Sequence, residues 1–216
     1  MTLRAVFIAD GPSDLPLAMH LELLCAQEGV EAQVTPIDPR SLRASSRTVE
    51  SRLRFLIDQG LDPDLVFVHR DAESQDPATR ATEVRAGAVA AGVDEHRVVP
   101  VVPIRMTEAW LLIDEREIRR VAGRPAGTND LGLPSFSAIE SLADPKALLA
   151  KVLLDAGQPS GRRRRAQFER DFGRNRALLL ERLDVAGPIN ELEAWRRLKE
   201  DVANALSQLL NDEPST

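Results

Sequence analysis

Short apolar runs alternate with stretches of helical period along the first hundred residues. Residues 3–9 (Leu-Arg-Ala-Val-Phe-Ile-Ala) form a nearly continuous apolar run stopped by Asp10-Gly11-Pro12, the pattern of a buried strand closed by a turn. Ser13 or Asp14 then caps a helix to about Glu28, with Leu17, Leu21, Leu24 and Cys25 on one face. Gly29 ends it, and 30–37 is a second strand. The spacing of Val49, Leu53, Leu56 and Ile57 predicts a helix over 47–59, with Gly60 as its stop. A third strand over 64–69 runs into Arg70-Asp71-Ala72-Glu73, and an Ala-rich helix follows Pro77 to Ala91. The fourth strand, 97–104, carries Pro100 and Pro103, which suits an edge or a short strand.

This alternation predicts an α/β fold: four parallel strands flanked by helices on both faces. After Thr107 the pattern is helical only, over 107–117, 144–156, 164–184 and 189–210. The last has Leu192, Trp195, Leu198, Val202, Leu206 and Leu209 at steps of three and four. A Gly/Pro-rich loop marks a boundary, giving an α/β unit over 1–123 and a helical extension over 124–216 that either stands apart or wraps the same sheet. Residues 211–216 read as a frayed tail.

In open parallel sheets, function gathers at the carboxyl ends of the strands. Asp10 and Asp14 follow the first strand, and Asp71 and Glu73 the third. If those strands are neighbours, about 4.8 Å apart, the carboxylates converge, and crowded carboxylates need a partner to stay ionised. A hard divalent cation, Mg²⁺ or Mn²⁺, is the natural one. Each acid also has a plain structural role open to it, as turn or cap. In Arg105-Met106-Thr107-Glu108-Ala109-Trp110, Arg105 and Glu108 fall one helical turn apart at the same sheet edge, either as site residues or as a surface ion pair.

Composition narrows the chemistry. The chain has no Tyr, so tyrosyl-phosphodiester chemistry is excluded, and one cysteine excludes an internal disulfide or a cysteine-built zinc site. With no membrane-length apolar run, a reducing cytoplasm is the expected setting. Neither GxxxxGK[ST] nor GxGxxG occurs, and His20, His69 and His96 lack metal-ligand spacing. The formal charge of -6 hides a polarity: residues 160–182 carry eight Arg against Glu169, Asp171 and Glu181, leaving the remainder strongly acidic. Arg162, Arg163, Arg164 and Arg165 are candidate contacts to a nucleic-acid backbone, or else a solvated basic turn.

The Asp10-Gly11-Pro12-Ser13-Asp14 turn, the Asp71-Ala72-Glu73 pair and the run from Arg105 to Asp114 together resemble a Toprim domain, over about residues 3–115. The run after Arg105 is similar to that of short prokaryotic Toprim-like proteins related to OLD nucleases and often encoded beside an AAA-type ATPase. The resemblance implies a Mg²⁺- or Mn²⁺-dependent phosphodiesterase, a nuclease of a defence or DNA-processing system. Asp10, Asp71, Glu73 and Asp14 would be metal ligands; Glu108 would orient or deprotonate water, and Arg105 would face the phosphate. This sequence departs from the family at two places, with Asp10 where a Glu is usual and Glu73 where a second Asp is usual. The resemblance equally allows a non-catalytic partner of an AAA-type ATPase, and the acid-lined crevice allows a small-nucleotide phosphotransfer enzyme.

Overall fold

The computed structural model describes residues 2–42 and 47–212. Strands β1 (Leu3–Ile8), β2 (Ala32–Ile37), β3 (Leu65–His69) and β4 (Val98–Val101) form one sheet in the order β2-β1-β3-β4, all parallel. Helix α1 (Leu17–Gln27) carries the chain from β1 out to β2. Helices α2 (Val49–Asp58) and α3 (Pro77–Ala90) carry it back across to β3 and β4. The direction of winding therefore reverses between β1 and β3, and a crevice opens there at the carboxyl ends of the strands. Pro100 sits in β4, the sheet edge, where its missing N–H costs no ladder bond to a further strand.

Strand alternation divides the apolar side chains between two layers. Val6, Ile8, Val66 and Val68 pack with Val49, Leu53 and Val84 of α2 and α3. Ala5, Phe7, Leu65 and Phe67 face the opposite side, against Leu17, Leu21 and Leu24 of α1 and the C-terminal helices. Those helices are α4 (Glu115–Val121), α5 (Phe136–Ile139), α6 (Pro145–Gly157), α7 (Arg162–Arg170), α8 (Phe172–Glu181) and α9 (Glu193–Asp212). They share the larger core, which runs from Leu3 to Leu206 across position 124 without a break. Trp110 and Trp195 form its centre, edge to face with ring centroids 5.2 Å apart, both fully buried.

Three sequence expectations change in detail. The helix expected over 107–117 is a 3₁₀ turn, Thr107–Leu111, followed by α4, because Asp114 caps a new helix by accepting from the Glu117 amide. The single helix expected over 164–184 is two, broken at Asp171. Asn211 and Asp212 belong to α9 rather than to a frayed tail, and 213–216 lie outside the described residues.

The α6–α7 corner depends on the absence of a side chain. A β-carbon at Gly157 would lie 2.6 Å from the Phe168 ring, whereas one at Gly173 in α8 would meet nothing within 4 Å. Gly157→Ala is therefore expected to destabilise by about 1–3 kcal/mol through overpacking. Gly173→Ala should stabilise by about 0.4–1 kcal/mol by restricting the unfolded chain. Urea denaturation of the two variants side by side checks both signs.

Candidate active site

The crevice is built by three loops. The first follows β1, where Asp10 leaves the strand and a 3₁₀ turn, Pro12–Asp14, folds Asp14 back until it is buried. The second follows β3, with Arg70 and Asp71 immediately beyond His69. The third leads from β4 into Thr107–Leu111, which buries Glu108.

His69 stands at the centre, fully buried. The Asp10 backbone N–H donates to its Nδ1 at 3.3 Å, which leaves the proton on Nε2. That nitrogen lies 3.1 Å from Thr107 Oγ1 and 3.5 Å from Asp71 Oδ1. Asp14 Oδ2 is 3.8 Å from Nδ1. Burial pulls the imidazole below its ordinary proton affinity, and Arg176 and Arg70 add to the fall against Asp14 and Asp10. A neutral, oriented imidazole is the result.

Arg176, from α8, enters the same space. Its Nε donates to Glu108 Oε1 at 2.8 Å, its Nη2 to Asp14 Oδ1 at 2.6 Å and its Nη1 to the Ser13 carbonyl at 2.7 Å. The three side chains are each less than a tenth exposed, with Arg176 at 6%, Asp14 at 8% and Glu108 at 7%. Burial alone would make this guanidinium easier to deprotonate, but Glu108 and Asp14 outweigh it and hold the charge more firmly than in water.

Among the described residues Asp71 has no such arginine partner. Burial pushes its carboxyl up to about 7, and the charges of Asp14, Glu108 and Asp10 push in the same direction; the Thr107 amide, which donates to Oδ1 at 3.2 Å, opposes them. Asp71 and Asp10 keep side-chain exposures of 27% and 31%, so these two carboxylates form the open mouth above the buried Asp14–Arg176–Glu108 group. Asp10 is touched from the other side of the sheet by Arg70, whose Nε is 3.5 Å from Oδ1, and by Arg52 at 4.0 Å.

The structure thus brings together Asp10, Asp14, Asp71 and Glu108. Glu73 and Arg105 lie apart from them at the rim. Glu73 is exposed; its N–H donates to the Arg105 carbonyl at 2.8 Å, and Arg105 Nη1 donates to the Glu73 carbonyl at 3.1 Å. Both have left-handed backbones, φ 54° and 70°, which costs non-glycine residues about 1–3 kcal/mol and is held by these reciprocal bonds. Arg105 and Glu108 are neither one helical turn apart nor a surface ion pair, since a 3₁₀ turn begins between them and Glu108 is committed to Arg176. Arg162, Arg163, Arg164 and Arg165 form the exposed first turn of α7, where Arg164 donates to Ser160 and Arg165 pairs with Glu169.

Two residues of the cluster escaped the sequence reading. His69 was visible as a strand-end histidine, but not as the hub between two loops. Arg176 was counted within a basic segment; its signal is helical phase. It lies four residues after Phe172 and three and four before Leu179 and Leu180, so it occupies an apolar face where an arginine requires buried acids.

Among the described residues, no group of three or more His, Cys, Asp or Glu side chains is arranged to hold a metal ion. The open pair Asp10 and Asp71 still has the right donors for Mg²⁺ or Mn²⁺, since Mg²⁺ is ordinarily held by one or two carboxylates completed by water and substrate phosphates.

Fold and crevice define an α/β protein of the open parallel-sheet class, with a histidine–carboxylate–arginine cluster at its switch point. Compared with protein families, curated proteins and solved structures, the chain matches none. Among the described residues no helix is long and apolar enough to cross a membrane.

Proposed function

We propose that the crevice between β1 and β3 is the site of a Mg²⁺- or Mn²⁺-dependent phosphodiesterase, acting as a nuclease. The observation that carries this reading is Asp71, a partly exposed carboxyl raised to about 7 by burial and, beyond that, by three neighbouring acids, which is the electrostatic signature of a place short of one cation. Asp10 and Asp71 would hold the ion, and when bound it would polarise the phosphate and activate water. Arg176 fixes Asp14 and Glu108 beneath this mouth and offsets part of their charge, which leaves the Asp10–Asp71 pair as the place for the cation. His69 keeps Asp71 oriented. Arg162–Arg165 supply the sequence-independent attraction to a nucleic-acid backbone.

Incubation with plasmid, linear and single-stranded DNA and with RNA, each with Mn²⁺, tests it. Cleavage that disappears in Asp71→Ala is the expected result; equal cleavage by the variant, or none by either protein, defeats the proposal.

A second reading is favoured by Arg176 itself. A guanidinium already neutralises two of the acids, as expected of a chain that has kept the fold as a non-catalytic partner of an AAA-type ATPase. An ATPase that co-purifies with both wild type and Asp71→Ala, with no cleavage by either, would favour that reading.

A further inference from the structure

On the opposite face of the sheet from His69, a cavity of about 310 Å³ lies between the start of α2, the middle of α3 and Arg70. Strand alternation puts it there: His69 faces the α1 side, so the next residue, Arg70, faces α2 and α3. Arg80 reaches it from α3, and Val49, Val84 and Gly87 supply an apolar wall. Gly87 allows the close approach of the two helices, since a β-carbon there would stand 2.9 Å from that of Val49.

The two guanidinium groups of this cavity are only partly satisfied by the protein. Among the described residues, neither the Nε of Arg70 nor that of Arg80, both buried, has a hydrogen-bond partner. Neither guanidinium is therefore saturated by the protein, and because the Nε atoms themselves are shielded, a ligand in the cavity would meet the terminal nitrogens of the two groups. Two acids also line the cavity, each already engaged by an arginine: Glu83 pairs with Arg80 Nη1 at 2.6 Å, and Glu50 with Arg54 Nε at 3.0 Å. Arg70 has Asp10 at 3.5 Å, beyond hydrogen-bonding geometry. Positive charge also accumulates behind the cavity. Burial lowers the proton affinity of Arg52, Arg70 and Arg47 lower it further, and Asp10 opposes them.

We infer that this cavity binds a phosphomonoester, its phosphate between Arg70 and Arg80 and its organic body against Val49, Val84 and Gly87. The dianion's tetrahedral oxygens can serve two guanidinium forks at once, whereas a planar carboxylate satisfies one. A volume of about 310 Å³ exceeds a bare phosphate and suits a sugar phosphate or the end of a phosphorylated strand. The site is distinct from the acidic crevice and does not depend on its being catalytic. The two touch through Arg70, which a bound phosphate would draw away from Asp10.

Calorimetric titration of the full chain without divalent metal tests the inference. Inorganic phosphate and ribose 5-phosphate should saturate a single site, with ribose and chloride at matched ionic strength giving no binding. Arg80→Met should weaken ribose 5-phosphate by about tenfold or more, the loss of one charged hydrogen-bond donor. Glu83→Gln, which frees Arg80 from its acid, should tighten binding several-fold, and it decides the matter alone if Arg80→Met does not fold. A 5′-phosphorylated oligonucleotide that binds more tightly than its 5′-hydroxyl form identifies a strand end as the source of the group; equal binding identifies a soluble phosphomonoester. Absence of ribose 5-phosphate binding, or affinities that neither variant changes, overturns the inference. Because no metal or cleavage is involved, failure here leaves the proposed phosphodiesterase untouched, and the reverse holds as well.

Discussion

Replacing Arg176 by methionine should cost about 3–5 kcal/mol of folding stability, the largest single-residue effect expected outside the hydrophobic core. The reason lies in what remains rather than in what is removed. Asp14 and Glu108 are both less than a tenth exposed, and each gives up a charged hydrogen bond of 2.8 Å or shorter. Two carboxylates would then face each other in a site that water hardly reaches. For a domain of this size, that loss lowers Tm by on the order of 10 °C. Adding Asp14→Asn and Glu108→Gln to Arg176→Met should recover much of it, because a neutral amide is far cheaper to bury than a charge. Chemical denaturation of the single and triple variants measures this, and a loss below about 1 kcal/mol would show the group to be solvent-screened, as exposed ion pairs are.

The second large effect concerns pH. Asp71 has a folded-state pKa of about 7 against an ordinary value of 3.8. Between these two values the folded chain holds a proton that the unfolded chain has released, so stability falls as pH rises from about 4 to 7. Below that window both states are protonated and the penalty vanishes; above it the penalty is complete, on the order of 4 kcal/mol at 1.36 kcal/mol per unit. Asp71→Asn removes the ionisation. It should match wild type near pH 4 and exceed it in stability at pH 8, while losing any phosphodiesterase activity. Urea midpoints for the two proteins across pH 4 to 8 give the comparison. Parallel curves would mean that Asp71 titrates normally and that the crevice is not short of a cation. Mn²⁺ bound at Asp10 and Asp71 would flatten the wild-type curve by holding Asp71 ionised.

How much of this could be read from the chain depends on the range of the interactions. β1 and β3 were legible because each is a short apolar run ended by a polar turn, a signal contained within ten residues. Asp10 and Asp71 were legible as acids at strand ends, and the neighbouring positions of β1 and β3 make that proximity real. Glu73 was placed with them by its separation of two from Asp71, but a left-handed turn at Glu73 itself leads it out to the rim. Glu108 was singled out for its motif, yet its partner is 68 residues further on, and no local pattern links them. The pairing of Arg70 with Arg80 across a cavity depends on the packing of α2 against α3, for which the only local trace is Gly87, a glycine inside an Ala-rich helix.

The partnership of Arg176 with Asp14 spans 162 residues of chain, and it sets an order on synthesis. The ribosome delivers the amino-terminal half first, at about 5–20 residues per second. β1 to β4 and the loop holding Glu108 are thus complete well before α8 emerges. During that interval the nascent sheet carries its acids without their counter-charge. Native burial of Asp14 and Glu108 can be completed only when the arginine arrives, so the crevice is among the last parts of the molecule to mature. A chain that stalls before residue 176 would present an unfinished crevice to the cell's quality control.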